Sequence, residues 1–164
     1  RPEWGERGGL ERAMHGLEVE ALATVLLATV EQTEALTEQG LVRVRWSNAG
    51  HLPPVLRLPD GSARLLQTEP NLLLGMTVDS ARTDSMIDLP HGATLLLYTD
   101  GLVERRGEDL DAGLERLRGL LAELGGAPLE GLCDALLCGL LGQQQEDDVA
   151  LLAVRINETD RPTV

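Results

Sequence analysis

The sequence contains no phenylalanine, and tryptophan and tyrosine together make up only 2% of its 164 residues. Because apolar residues still account for 43%, the core has to be built from leucine, valine and alanine. No apolar run reaches the roughly 18 residues that a membrane span needs, and the first residues do not resemble a signal peptide. We therefore expect one aliphatic domain over residues 1–164, located in the cytoplasm.

Basic residues are also scarce: lysine is absent, and 14 arginines face 27 acidic residues, so the net charge is −13. Nucleic acids and anionic membranes bind basic patches, which argues against both as partners. A cation or the basic face of a protein fits better. The two cysteines, Cys133 and Cys138, point about 140° apart on a predicted helix, so we expect both to be reduced.

Strands are predicted from short runs of β-favouring residues and from period-two alternation. Val42, Val44 and Trp46 alternate with polar residues up to Ser47, which predicts a strand with Trp46 in the core and a solvent-exposed opposite face. The turn sequence Pro59–Ser62 predicts an antiparallel hairpin. The other predicted strands are Ala23–Val30, Val55–Leu58, Ala63–Leu66, Ala93–Tyr98 and Val149–Val154.

Leucine stripes at helical spacing predict two amphipathic helices, one capped by Asp109 or Asp111 and one that starts at Leu129. Over helices this short, we interpret the stripes as core and not as a dimer interface. A short helix is expected at Leu10–Leu17, and the acidic stretch Glu31–Gln39 is expected to be a loop.

Two acidic turns are each joined to an apolar strand. Thr99-Asp100-Gly101 follows Ala93–Tyr98, and Glu146-Asp147-Asp148 precedes Val149–Val154. A carboxylate at the end of a buried strand is held rigidly, and two such groups form a hard-oxygen site that suits Mg²⁺ or Mn²⁺. Each turn alone is ambiguous, because Asp-Gly is a common turn pair and an acidic triplet fits a solvated loop.

Four motifs follow one another along the chain: Ser47–Pro54, Leu74-Gly75, Tyr98–Glu104 and Asp147–Leu152. Together they resemble the metal-dependent Ser/Thr protein phosphatase (PPM, type 2C-like) family, in its bacterial sporulation-protein-E-type subfamily, over about residues 23–156. The resemblance implies an α+β fold, the αββα sandwich, with two Mn²⁺ or Mg²⁺ ions between the sheets. Two such ions about 4 Å apart would activate a shared water for attack on phosphorus, without a nucleophilic side chain.

Carried over residue by residue, the resemblance assigns the metal positions to Asp100 and Asp147, with Asp148 and Gly101 as flanking positions. Asn48 and His51 precede a Pro-Pro pair, and we interpret them as bracing this turn, with contact to substrate as the alternative. The charged residues after the Asp-Gly pair are interpreted as exposed loop charge, with contact to a phosphosubstrate as the alternative; they are Glu104, Arg105 and Arg106.

The family's first motif, Gly-Asp-Val-x-Gly-His-Gly, is absent from the sequence. Its aspartate bridges the two metals, and Leu10–Leu17 resembles a helix that follows it. We therefore expect the sandwich to lack its N-terminal strands, and the remaining carboxylates to hold divalent ions weakly. Little activity is expected of this chain alone, and apolar sheet edges favour a homodimer.

Three functions remain open. The resemblance implies hydrolysis of phosphoserine or phosphothreonine on a signalling protein, with an anti-anti-sigma factor as a candidate substrate in sigma factor regulation. The alternative is a degenerate phosphatase-like module that binds a phosphoprotein or regulatory partner without turning it over. An oligomerisation domain that uses the leucine stripes is the least favoured.

Overall fold

The computed structural model describes residues 22–68, 72–76, 83–141 and 147–158. Its strands and helices are β1 (Val25–Glu31), α1 (Glu34–Glu38), β2 (Leu41–Ala49), β3 (Val55–Arg57), β4 (Ala63–Leu65), β5 (Ser85–Pro90), β6 (Thr94–Tyr98), α2 (Leu110–Leu124), α3 (Leu129–Leu140) and β7 (Leu151–Arg155). A short 3-10 helix, Asp100–Leu102, follows β6. The predicted α+β class and the order of strands, two helices and a last strand are confirmed. The helix predicted at Leu10–Leu17 lies outside the described residues.

Hydrogen bonds arrange the strands into a three-stranded sheet of order β1-β2-β5 and a four-stranded sheet of order β4-β3-β6-β7. The described residues form two compact units. The first contains those up to Glu31, Val44–His51 and those between Thr68 and Ile87; the second contains Gln32–Arg43, Leu52–Gln67 and those from Asp88 onward. Among all the residues that the structure describes, no helix has the length and apolar character of a membrane span.

The second unit holds the four-stranded sheet and both long helices. Its pairs β3–β4, β3–β6 and β6–β7 are antiparallel, so the predicted hairpin is confirmed. The turn of this hairpin is closed by Asp60, whose carboxylate accepts hydrogen bonds from the Ser62 backbone at 2.9 Å and the Ser62 hydroxyl at 2.6 Å.

The leucine stripes of α2 and α3 form the core of this unit, as predicted. They pack against Val55 of β3 and Leu96 of β6, both fully buried. The buried stripe residues are Leu114, Leu117 and Leu121 of α2 with Leu132, Leu136 and Leu140 of α3. Burial of one leucine side chain contributes about 1.5–3 kcal/mol, so the two stripes stabilise the unit substantially.

The start of α2 is capped by Asp109, whose carboxylate accepts a hydrogen bond from the Asp111 backbone at 3.2 Å. This satisfies one of the amides that the first turn of a helix leaves unpaired. Of the two candidate caps, the structure therefore selects Asp109. Gly125 ends the helix.

The prediction of a loop over Glu31–Gln39 is wrong, because α1 forms within it. The Thr33 hydroxyl caps this helix by accepting a hydrogen bond from the Leu36 backbone at 3.4 Å, and Leu36 is buried. A five-residue helix shows too little periodicity to be recognised. Its stability comes from the cap and from one buried leucine.

Strand β5 was not predicted, because Met86 and Ile87 are apolar neighbours and obscure the period of two. Hydrogen bonds with β2 establish the strand, and Arg43 of β2 donates two bonds to the Asp88 carboxylate, at 2.7 and 2.8 Å. These bonds lower the pKa of Asp88. The contact joins residues 45 apart in sequence, which no local pattern contains.

In β2 the apolar face is as predicted, since Val42, Val44 and Trp46 are all buried. Arg45 on the opposite face donates a hydrogen bond to Glu31 of β1 at 3.2 Å. The prediction that Ser47 lies on an exposed face is wrong, because only 3% of this residue is exposed. Both faces of the strand are therefore covered near its end.

Candidate metal centre

The two acidic turns meet at one edge of the four-stranded sheet. Strands β6 and β7 pair antiparallel from Thr94 with Arg155 to Tyr98 with Leu151. In an antiparallel pair, the end of one strand lies beside the start of the other. Asp100 comes just after β6 and Asp147 just before β7, so the strand pairing brings both predicted metal ligands to this edge.

Thr99 joins the two turns through three hydrogen bonds. Its backbone amide donates to the Ala150 oxygen at 3.0 Å. Its hydroxyl donates to the Asp148 backbone oxygen at 3.0 Å and accepts from the Ala150 amide at 2.9 Å. One threonine therefore fixes the turn that carries Asp100 against the segment that carries Asp147.

Gly101 lies in close contact with the same segment. A Cβ atom at this position would be 2.7 Å from the Asp148 backbone oxygen and 3.1 Å from that of Asp147. Real Cβ atoms essentially never approach backbone oxygen as closely as 2.7 Å. The position therefore requires glycine for space.

The carboxylates of Asp100 and Asp147 are both exposed, and each accepts a hydrogen bond from the next backbone amide along the chain. The distances are 2.9 Å from Gly101 to Asp100 and 2.8 Å from Asp148 to Asp147. Asp148 is exposed beside them. Exposed carboxylates in rigid turns are the donors that Mg²⁺ and Mn²⁺ prefer, so the donor chemistry fits a hard divalent ion.

The donor set is incomplete in the part of the chain that the structure describes. Within residues 22–68, 72–76, 83–141 and 147–158, no three His, Cys, Asp or Glu side chains are grouped so that they could hold a metal ion. Mg²⁺ is commonly bound through one or two carboxylates with waters and phosphate oxygens completing the shell. The two aspartates therefore fit part of a metal site, and their role stays a prediction.

Asn48 and His51 brace a turn of the first unit. The Asn48 side-chain amide donates to the His51 oxygen at 2.7 Å, and the His51 backbone amide donates to the Asn48 side-chain oxygen at 2.8 Å. Gly50 between them has a φ of +67°, and a Cβ there would lie 2.0 Å from the Leu73 side chain. These contacts favour the bracing interpretation; a role of either side chain towards metal or substrate stays a prediction.

Sequence reasoning missed the contact between Tyr98 and Pro53. The buried Tyr98 hydroxyl donates a hydrogen bond to the Pro53 backbone oxygen at 2.9 Å, and burial raises the pKa of the hydroxyl. Tyr98 is the only tyrosine in the chain and stands at the end of an apolar strand. A buried tyrosine usually bonds its hydroxyl, but the sequence does not identify the acceptor.

The charged residues after the Asp-Gly pair have separate environments. Arg105 donates a hydrogen bond to the Leu140 backbone oxygen at 2.7 Å and lies 3.8 Å from the Glu108 carboxylate. Arg105 therefore contacts the end of α3, where a cation is favourable. Glu104 is exposed.

Solved structures show which fold this is. The chain matches the structure of the RsbU and RsbW domains of Rv1364c from Mycobacterium tuberculosis with a TM-score of 0.83 and 27% identity, over 99% of this chain and 44% of that one. The SiaA-PP2C domain of Pseudomonas aeruginosa matches with a TM-score of 0.69 and 19% identity, over 92% and 58%. The phosphatase domain of SpoIIE from Bacillus subtilis matches with a TM-score of 0.55 and 17% identity, over 86% and 60%.

These matches define a fold of the PP2C phosphatase type. The profile of the Stage II sporulation protein E (SpoIIE) family matches residues 8–157, which is most of the chain. The chain therefore belongs to the SpoIIE family, as the motifs indicated. It spans between 44% and 60% of the length of the three solved chains above.

Proposed function

We propose that this protein is a Mn²⁺- or Mg²⁺-dependent protein phosphatase that hydrolyses phosphoserine or phosphothreonine. The observation that carries the proposal is the pairing of β6 with β7, which brings the exposed Asp100 and Asp147 carboxylates to one sheet edge. Membership of the SpoIIE family supports it, as does the likeness to a SpoIIE phosphatase domain that was presoaked with Mn.

In this proposal, Asp100 and Asp147 bind the metal ions, and the backbone bonds to one oxygen of each carboxylate hold the groups in place. Two ions are expected in the complete domain; when bound, they lower the pKa of water and stabilise negative charge on the phosphoryl group. No nucleophilic side chain is required. Gly101 allows the Asp100 turn to approach the segment before β7, and Asp148 adds negative charge beside it.

The proposed substrate is a phosphorylated signalling protein, with an anti-anti-sigma factor as the candidate. The support is the match to a chain in which an RsbU domain and an RsbW domain occur together. We place the reaction in the cytoplasm.

The test is Mn²⁺ titration calorimetry together with hydrolysis of p-nitrophenyl phosphate, on the protein in its natural full length. We expect Asp100→Asn and Asp147→Asn each to weaken Mn²⁺ binding by more than about 100-fold, beyond what loss of an outer-shell partner costs, and to abolish hydrolysis. Asp60→Asn is the matched control, because it removes the same charge from an exposed hairpin turn. If both aspartate variants bind Mn²⁺ and hydrolyse like the natural protein, the proposal is wrong.

A second candidate is a binding module that recognises a phosphoprotein without turning it over. One observation favours it: the described residues contain no group of three metal-ligating side chains. A folded full-length protein that binds a phosphoprotein, but neither binds Mn²⁺ nor hydrolyses phosphate, would establish this function instead.

A further inference from the structure

We propose that Thr99 is a positioning residue of the metal centre, which sets the placement of Asp100 relative to Asp147. The inference rests on the proposed function and assigns a role to a residue outside the predicted ligand set. Its basis is the way in which the Thr99 side chain replaces a backbone group in the pairing of the two acidic segments.

In a regular antiparallel pair, a hydrogen-bonded residue both donates and accepts through its backbone. The Thr99 amide does donate to the Ala150 oxygen at 3.0 Å, but the Ala150 amide donates to the Thr99 hydroxyl at 2.9 Å and not to its carbonyl. The Thr99 carbonyl instead accepts from the Leu102 amide at 3.1 Å. The side chain thus continues the pairing while the backbone turns away from the strand.

This exchange explains how the chain can turn after β6, at Asp100, and still remain hydrogen-bonded to the segment before β7. The Thr99 carbonyl accepts the first hydrogen bond of the 3-10 helix that begins at Asp100. The Thr99 hydroxyl accepts a hydrogen bond from the Ala150 amide and donates one to the Asp148 oxygen at 3.0 Å. The hydrogen bonds of the Asp100 and Asp147 carboxylates come from the next amide along the chain, so these bonds do not join one turn to the other. The Thr99 hydroxyl therefore supplies two of the three hydrogen bonds by which Thr99 holds the two turns together.

Metal affinity depends on how the two turns place their carboxylates relative to each other. Loss of a residue that orients metal ligands without binding the metal typically lowers metal affinity by about 10- to 100-fold. Thr99→Val keeps the shape of the side chain but removes the hydroxyl, which leaves the Ala150 amide and the Asp148 oxygen without this partner. We expect it to weaken Mn²⁺ binding by about 10-fold or more. Thr99→Ser retains the hydroxyl and should restore the affinity.

The experiment is Mn²⁺ titration calorimetry on the natural full-length protein and these two variants, with urea unfolding in the absence of metal. Tyr98→Phe is the control, because it removes a hydroxyl from the adjacent residue whose bond goes to Pro53. We expect Thr99→Val and Tyr98→Phe to lose similar stability, but only Thr99→Val to lose Mn²⁺ affinity. A Thr99→Val variant that binds Mn²⁺ like the natural protein overturns the inference, and so does equal weakening by Tyr98→Phe.

Phosphatase activity separates this inference from the proposed function. If the natural protein binds Mn²⁺ and hydrolyses phosphate while Thr99→Val does both equally well, the proposed function stands and only the role of Thr99 is wrong. If the natural protein does not bind Mn²⁺, the proposed function fails, and Thr99 is then a structural residue only. If Thr99→Val recovers its rate as the Mn²⁺ concentration is raised, while Asp100→Asn does not, the positioning role is supported.

Discussion

We expect Tyr98 to make the stability of the folded protein depend on pH in the alkaline range. Its hydroxyl is buried, and burial raises its pKa above the ordinary value of about 10. Because the folded state favours the neutral hydroxyl, the stability that this group contributes is complete below pH ~10 and declines as the pH rises beyond that value. The chain has one tyrosine and no lysine, so few other groups titrate in this range.

We therefore expect the free energy of unfolding, measured in urea between pH 8 and pH 11, to fall above pH ~10. Tyr98→Phe should remove this decline, at a cost of about 1 kcal/mol at neutral pH for the lost hydrogen bond to Pro53. Burial and the charge of Asp134 also raise the pKa of Cys133, so its thiol contributes a separate decline that persists in Tyr98→Phe. An unchanged alkaline decline in Tyr98→Phe would contradict the assignment.

At the scale of the element, helix α2 contains two glycines that differ in their surroundings. Alanine is favoured over glycine inside a helix by about 1 kcal/mol. At Gly113, however, a Cβ would lie 2.1 Å from the Val103 backbone oxygen. A Cβ at Gly119 would meet no heavy atom of the described residues within 4 Å, apart from its chain neighbours and the backbone of its own helix. The contact with backbone decides whether alanine stabilises or destabilises the protein at Gly113, because a carbonyl cannot rotate away as a long side chain can.

We expect Gly113→Ala to destabilise the protein and Gly119→Ala to stabilise it by up to about 1 kcal/mol, both measured by urea unfolding. The two substitutions add the same methyl group to the same helix, so each is the control for the other. If Gly113→Ala is as stabilising as Gly119→Ala, then α2 does not pack closely against Val103.

At the scale of the whole molecule, substitutions in the leucine stripes of α2 and α3 test whether these stripes form the core of the chain or an interface between subunits. Leu136 is fully buried within the chain, whereas Leu152 is 58% exposed. We expect Leu136→Ala to lower the free energy of unfolding by about 2–5 kcal/mol, because it removes buried methyl groups and leaves a cavity. Leu152→Ala should change it by no more than about 0.5 kcal/mol.

Sedimentation equilibrium distinguishes the two interpretations further. If the stripes formed a subunit interface, Leu136→Ala would dissociate an oligomer, and the loss of stability would depend on protein concentration. As core residues, they give a loss that is independent of concentration.

The sequence alone determined the long helices, the hairpin and the identity of the acidic residues, because these depend on local patterns. The stripe that includes Leu117 has helical spacing, and the turn Pro59–Ser62 closes its hairpin with its own side chains. The motifs around Asp100 and Asp147 indicated the family, which the match over residues 8–157 confirms. Local sequence patterns thus predict most of the strands and helices.

Contacts between residues distant in the chain become visible only in the folded structure. Strand β5 forms against β2, across 45 residues of sequence between Arg43 and Asp88. Likewise, Thr99 and Gly101 meet the segment before β7 only because β6 and β7 pair in one register. A hydroxyl 49 residues from its acceptor leaves no local pattern, so the sequence identified the aspartates of the candidate site but not the contacts that hold them together.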